Sequence, residues 1–156
     1  MLDVTVLMVG KTKEAFIQEG LVFYQKRIRP YLKLSLKSVR PEKEEGKLPP
    51  ETIKAREGER LRAAIPAKSY VVALDPGGKE LTSEEFAAWL TTRAEDPRPL
   101  AFLLGGHLGL DQATLTQAQE RLALSRFTLT HELSRLILLE QLFRAMTIKT
   151  GHPYHV

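Results

Sequence analysis

Strand and helix signals alternate along the whole chain, which predicts an α/β fold with a mostly parallel sheet and helices on both faces. Two short apolar runs, Tyr-Val-Val-Ala-Leu at 70–74 and Leu-Ala-Phe-Leu-Leu at 100–104, have the continuous hydrophobicity of strands covered on both sides. Between the strand candidates, apolar residues recur at helical spacing. Parallel neighbours need long crossovers, and helices supply them.

The first strand is expected at 2–9, followed by a helix at 14–27 whose Phe16, Ile17, Leu21, Tyr24 and Ile28 recur at helical spacing before Pro30 closes the unit. Leu32, Leu34 and Leu36 alternate with Lys33, Ser35 and Lys37, the period-two pattern of a half-buried strand. Residues 41–50 are charged and bounded by prolines, which predicts a loop. A helix at 51–64 is ended by Pro66, and the strand at 70–74 runs into Asp75-Pro76-Gly77-Gly78, read as a turn. Thr82 with Glu85 three residues on has the form of a capping box, so a helix follows to about Ala94. The strand at 100–104 passes through Gly105-Gly106-His107-Leu108-Gly109 into a helix at 111–121. A brief strand is expected at 127–129 and a last helix at 134–147. Leu136, Ile137, Leu138, Leu139, Leu142, Phe143 and Met146 cover most of that helix's circumference, leaving Arg135, Glu140, Gln141 and Arg144 as its main polar positions. A helix so apolar is buried on more than one side, and its second cover can be another subunit.

At 156 residues, one domain over 1–156 is expected, with a core that needs no disulfide or metal staple. With 43% hydrophobic and 27% charged residues the balance is that of a soluble folded chain. The absence of cysteine excludes disulfides, thiolate catalysis and cysteine-held metals. Asp3 stands where a signal peptide carries positive charge, and no apolar stretch approaches a membrane span, so the expected location is cytoplasmic with no membrane attachment. The formal net charge of +4 permits an acidic partner without requiring one. Lys26, Arg27, Arg29, Lys33, Lys37 and Arg40 occur with no acid among them. They read equally as a solvated helix end with an edge strand, or as a phosphate-contacting patch.

In open α/β sheets ligands bind beyond the carboxyl ends of the strands, where loop amides and helix N-termini converge. Three segments leave strands at that rim: 74–78, 105–109 and 129–132. The glycine-rich one lacks dinucleotide-fingerprint spacing and a phosphate-loop lysine, so alone it reads as a tight turn or as a place where a ligand presses on backbone. His107, His131, His152 and His155 lack carboxylate or cysteine partners at matching spacing, so no metal is expected.

Taken in order, the strand at 2–10, the strand and turn at 70–78, Leu103-Leu104-Gly105-Gly106, Leu129-Thr130-His131, Glu140-Gln141-Leu142-Phe143-Arg144-Ala145 and His152-Pro153-Tyr154-His155 resemble the ribosomal RNA large subunit methyltransferase H family over nearly the whole chain. The resemblance implies a SPOUT-like α/β fold whose C-terminal segment is threaded as a trefoil knot, and a homodimer. It implies methylation of N3 of a pseudouridine in 23S ribosomal RNA, with S-adenosyl-L-methionine as donor. Carried over by position, it implies cofactor contacts at Leu74, Gly105, Ser125, Arg126, Phe127, Thr128, Leu129 and Thr130.

The tail then becomes the candidate catalytic group. His152 or His155 would take the N3 proton, Tyr154 would stack on or orient the base, and Arg144 would stabilise negative charge or grip phosphate. Against this stand simpler roles: Pro153 and Tyr154 anchoring the C-terminus, and Arg144 pairing with Glu140 four residues earlier. With no room for a separate RNA-binding domain, the expected substrate is 23S rRNA within the ribosome, recognised by shape. The alternative from another class is a non-catalytic ribosome- or RNA-binding protein using the basic stretch.

Overall fold

The computed structural model describes residues 1–44 and 46–156. In chain order the elements are β1 (Asp3–Val9), α1 (Ala15–Ile28), β2 (Lys33–Val39), α2 (Pro50–Ala64), β3 (Tyr70–Glu80), α3 (Ser83–Glu95), β4 (Leu100–Leu103), α4 (Gln112–Gln117), β5 (Glu120–Ala123) and α5 (His131–Thr150). The five strands form one sheet in the order β2-β1-β4-β3-β5, and every pairing is parallel. The expected α/β class with its parallel sheet is the observed one.

Period two in β1 sorts the core into two layers. Val4, Val6 and Met8 point to one face, where Ile17, Leu21 and Ile28 of α1, Phe86 and Leu90 of α3, and Leu138, Leu139 and Leu142 of α5 close over them. Leu7 and Val9 point to the other, against Leu61 of α2, with Leu115 and Ala118 packed alongside. Each fully buried aliphatic side chain contributes about 1.5–3 kcal/mol, so α5, with three leucines at 0% exposure, is a large share of the core. β2 is an edge strand with Lys33 and Lys37 exposed, in keeping with the solvated reading of that basic stretch.

Local chemistry explains several boundaries. Thr82 accepts a hydrogen bond from the Glu85 amide at 3.1 Å while the Glu85 carboxylate accepts from the Thr82 amide at 2.8 Å, completing the expected capping box. Pro50 opens α2, where a missing N–H costs nothing. Thr130 caps α5 by accepting from the Leu133 amide at 3.1 Å, so that helix starts at His131, ahead of the start expected at Ser134.

Two expectations are corrected. The last strand is at Glu120–Ala123, where a helix end was expected, and 127–129 carries no strand. The spacing of Leu115, Ala118 and Leu122 imitates a helix, but α4 stops at Gln117 and the chain pairs with β3 instead, Val72 opposite Glu120 and Leu74 opposite Leu122. As an edge strand with only Leu122 buried, β5 shows no apolar run. Its polar side chains do the fastening: the Glu120 carboxylate accepts from the Tyr70 hydroxyl at 2.6 Å and from the Trp89 indole at 2.7 Å. The second correction concerns Asp75-Pro76-Gly77-Gly78. These residues do not end β3; they form an excursion within it, after which Lys79 again meets Leu122.

Candidate functional site

A cavity of about 650 Å³ opens at the carboxyl ends of β3 and β4, within the range of small-molecule sites. Leu74, Asp75 and Pro76 form one wall, the 104–110 loop a second, and Leu124, Ser125 and 127–129 with His131 and Ser134 of α5 a third. Glu51 and Lys54 of α2 and Gln112 and Leu115 of α4 complete the lining. The floor of the glycine loop is tight: a methyl group on Gly105 would stand 2.5 Å from the Gly109 carbonyl carbon and 2.8 Å from the Leu110 nitrogen. Gly105, Gly106 and Gly109, which line the cavity, can present only backbone to it, the arrangement that lets amides and carbonyls read a ligand's edges.

Of the eight positions singled out for the cofactor, Leu74, Gly105, Ser125, Phe127, Thr128 and Leu129 line this cavity. The Phe127 amide donates to the Ser125 hydroxyl at 2.9 Å, which shapes the loop, while the Phe127 ring is 86% exposed at the cavity's edge. Arg126 projects outward, 3.7 Å from Glu80, and Thr130 spends its side chain on capping α5. His107 also lines the cavity and meets Glu44 at 2.8 Å, joining the glycine loop to the segment before α2.

Behind the third wall lies a polar lock. Arg135, one of the expected polar positions of α5, is 1% exposed and donates to the Val9 carbonyl at 2.6 Å and the Thr12 hydroxyl at 2.8 Å. Glu132 accepts from the Lys13 amide at 3.1 Å and the Glu14 amide at 3.0 Å, where the start of α1 has no side-chain cap of its own. Burial opposes the charge of Glu132, yet these amides and the Arg135 guanidinium hold its carboxyl below the usual range. Burial, aided by Arg135, holds His131 below its ordinary value, which favours a neutral ring at the cavity wall. The first turn of α5 thus fixes both the end of β1 and the start of α1.

The tail gathers elsewhere, and neither Arg144 nor residues 152–155 line the cavity of their own chain. Arg144 donates to Glu140 at 2.7 Å, the simpler pairing offered by the sequence, and its other terminal nitrogen lies 3.0 Å from His155 Nδ1. A guanidinium has only donors, so Nδ1 must accept. Nε2 then carries the ring proton and donates to Glu84 at 2.8 Å. Tyr154 donates to Glu140 at 2.7 Å, meets the Tyr24 hydroxyl at 3.4 Å and packs edge-on against Phe143 with centroids 4.7 Å apart. Burial, then these hydroxyl and carboxylate neighbours, pushes the Tyr154 phenol well above its usual range, so it stays protonated. Burial works against the Glu140 charge, but the Arg144 and Tyr154 hydrogen bonds hold its carboxyl low. His152 is exposed. Among the described residues no three of His, Asp or Glu stand together as a metal would require, and no helix is long and apolar enough to cross a membrane.

Residues 2–155 match the family model described as "Predicted SPOUT methyltransferase". The chain belongs to the SPOUT methyltransferase family. It is 42% identical to a protein named ribosomal RNA large subunit methyltransferase H of Carboxydothermus hydrogenoformans, over 99% of both chains. A protein of the same name from Desulfotalea psychrophila is also 42% identical, over 96% of this chain and 97% of its own. Among solved structures, the "probable methylase family protein" of Haemophilus influenzae Rd KW20 superposes over 98% of this chain and 70% of its own, with a TM-score of 0.56 at 10% identity. That likeness shows the fold.

The family places a methyltransferase on this scaffold, and the geometry shows what residue patterns missed. Glu51, Lys54, Gln112, Leu115 and Ser134 reach the cavity only because α2, α4 and α5 pack where they do. No spacing along the chain links them. His131 had a signal, standing in one of the three rim segments.

Proposed function

We propose that this chain, working as one domain, transfers a methyl group from S-adenosyl-L-methionine to N3 of a pseudouridine in 23S ribosomal RNA, in the cytoplasm and on ribosomal particles. The observation that carries the reading is a glycine-floored cavity at the strand ends of a SPOUT-family chain. Near-full-length relatives named for the large-subunit ribosomal RNA supply the substrate class.

The lining fits the cofactor. Leu74, Leu124 and Leu129 offer apolar surface to an adenine ring, and the backbone of Gly105, Ser125, Phe127, Thr128 and Leu129 offers donors and acceptors to its edge. When bound, the cofactor supplies a methyl group on a sulfonium, open to in-line attack by a nucleophile held close and aligned. The chain's task at N3 is to accept a proton, and with about 1.4 kcal/mol per pKa unit a base or cation needs to offset only a few kcal/mol.

Within one chain the tail and the cavity are separate, so in this reading a homodimer brings the tail of one subunit to the cavity of the other. Support comes from α1, where Phe16, Val22 and Phe23 remain 63%, 51% and 45% exposed beside the apolar α5. His152, exposed and free of the Arg144–Glu84 bracket that holds His155, takes the proton in this scheme; Arg144 faces the developing charge and Tyr154 orients the base. The C-terminal segment is threaded as the family's trefoil knot.

The test incubates purified protein with methyl-labelled S-adenosylmethionine and either ribosomal particles or naked 23S RNA, followed by mass spectrometry of the nucleosides. Methylpseudouridine formed faster on particles is the expected result. RNA binding with no methyl transfer to any substrate would return the chain to a non-catalytic role.

A further inference from the structure

Resting on the cofactor reading above, we infer that Lys54 and Glu51 of α2 form the subsite for the amino-acid half of S-adenosylmethionine, Lys54 reading its carboxylate and Glu51 its ammonium. Among the described residues lining the cavity, Lys54 is the only lysine or arginine, while Glu51 and Asp75 supply carboxylates. Asp75 is committed within its own loop, accepting from the Gly77 amide at 2.9 Å. The strand-end loops offer backbone and leucine surface suited to an adenosine and no cation for a carboxylate.

The pair on α2 has the complementary form. The Lys54 ammonium and a Glu51 carboxylate oxygen are 3.0 Å apart, one charge of each sign at the cavity wall. A ligand carrying its own carboxylate and ammonium on one carbon matches such a pair by alternation, each charge facing two of opposite sign. Stability alone does not explain the arrangement. A solvent-screened i,i+3 ion pair contributes little, yet Lys54 is held at 21% exposure while Glu51 is 80% exposed. A lysine stripped of that much water against a cavity gains most from an anion inside it. Glu51, still largely in solvent, can turn toward an ammonium.

The test compares calorimetric affinities of the full-length protein for S-adenosylmethionine, S-adenosylhomocysteine and 5′-methylthioadenosine, the last of which lacks the amino acid. Lys54→Met should weaken the first two by about tenfold, the ratio equivalent to 1.4 kcal/mol, and leave the third within about twofold. Lys54→Arg, which keeps the charge, should recover most of the loss. Glu51→Gln should show the same differential at about threefold, smaller because that carboxylate is hydrated. It also carries the test if Lys54→Met unfolds on heating earlier than the parent. Equal losses for all three ligands, or unchanged affinity for S-adenosylmethionine, overturn the inference. So does a raised KM for ribosomal particles alone, which would assign Lys54 to an RNA phosphate. A parent protein that binds none of the three removes the cofactor reading itself, and the inference with it.

Discussion

Adding one methyl group to the glycine loop tests whether the floor of the cavity is as tight as its backbone implies. In Gly105→Ala the new carbon would meet Gly109 carbonyl carbon at 2.5 Å, its oxygen at 2.6 Å and the Leu110 nitrogen at 2.8 Å. All three are backbone atoms, so no side chain can turn aside; ordinary contact begins near 3.4 Å, and the loop must retreat by about 0.9 Å. Overpacking of this kind costs about 1–3 kcal/mol, which for a chain of this size lowers Tm by roughly 2–12 °C. A shift of that size in a wall that reads a ligand by backbone should also weaken S-adenosylmethionine binding by about tenfold or more. Gly106→Ala is the internal control, since its methyl would meet side-chain atoms, Glu57 Oε1 at 3.3 Å and Val9 Cγ1 at 3.4 Å, which can yield. Thermal unfolding and calorimetry on both variants decide the matter. A Gly105→Ala protein with parental Tm and affinity, or a Gly106→Ala protein that suffers more, would refute the argument.

Other substitutions probe the scaffold and the tail. Arg135→Met should cost about 3 kcal/mol in urea unfolding, because it leaves the Val9 carbonyl buried without its charged donor, and a loss below about 1 kcal/mol would show that water replaces it. Thr82→Ala should cost about 1 kcal/mol by breaking the capping box, read as a Tm lowered by roughly 2–4 °C. Glu132 titrates below its usual 4.5 in the folded protein, so the unfolded chain binds more protons and stability is lost as pH falls through the folded value. Urea titrations should therefore show a steeper acid loss for the parent than for Glu132→Gln, and parallel curves would deny Glu132 that role. Replacing His152, Tyr154 and His155 singly with alanine should lower methyl transfer without lowering S-adenosylmethionine affinity; unchanged turnover in all three would leave the tail as an anchor only.

Apolar runs made β1, β3 and β4 legible because burial on both faces writes itself into composition, and β2 was legible through the period-two alternation of a half-buried edge strand. β5 was illegible for the opposite reason: an edge strand held by Glu120 and Gln119 side chains, with a single buried leucine, carries no apolar signature. The rim loops announced the cavity through Gly105 and through the turn residues after Leu74. Lys54 could not announce itself, since one lysine on a charged helix resembles its neighbours until the fold turns it inward. Arg135 looked like surface for the same reason, one cation among apolar residues, and proved to be among the most buried side chains of the molecule. The tail was legible as a motif but not as a place, because within its own chain it closes on Glu140, Glu84 and Tyr24.

The bond from Glu132 to the amides that begin α1 spans 119 residues of sequence, and three fully buried leucines of the same last helix roof the first strand. At translation rates of 5–20 residues per second, the start of α1 waits about 6–24 s for the carboxylate that caps it. Until then the apolar face of β1 has only α1 and α3 to cover it, and the core closes when the final helix leaves the ribosome. A protein whose first and last segments complete each other has no stable half, so truncation near the C-terminus should yield an insoluble chain rather than a smaller folded one.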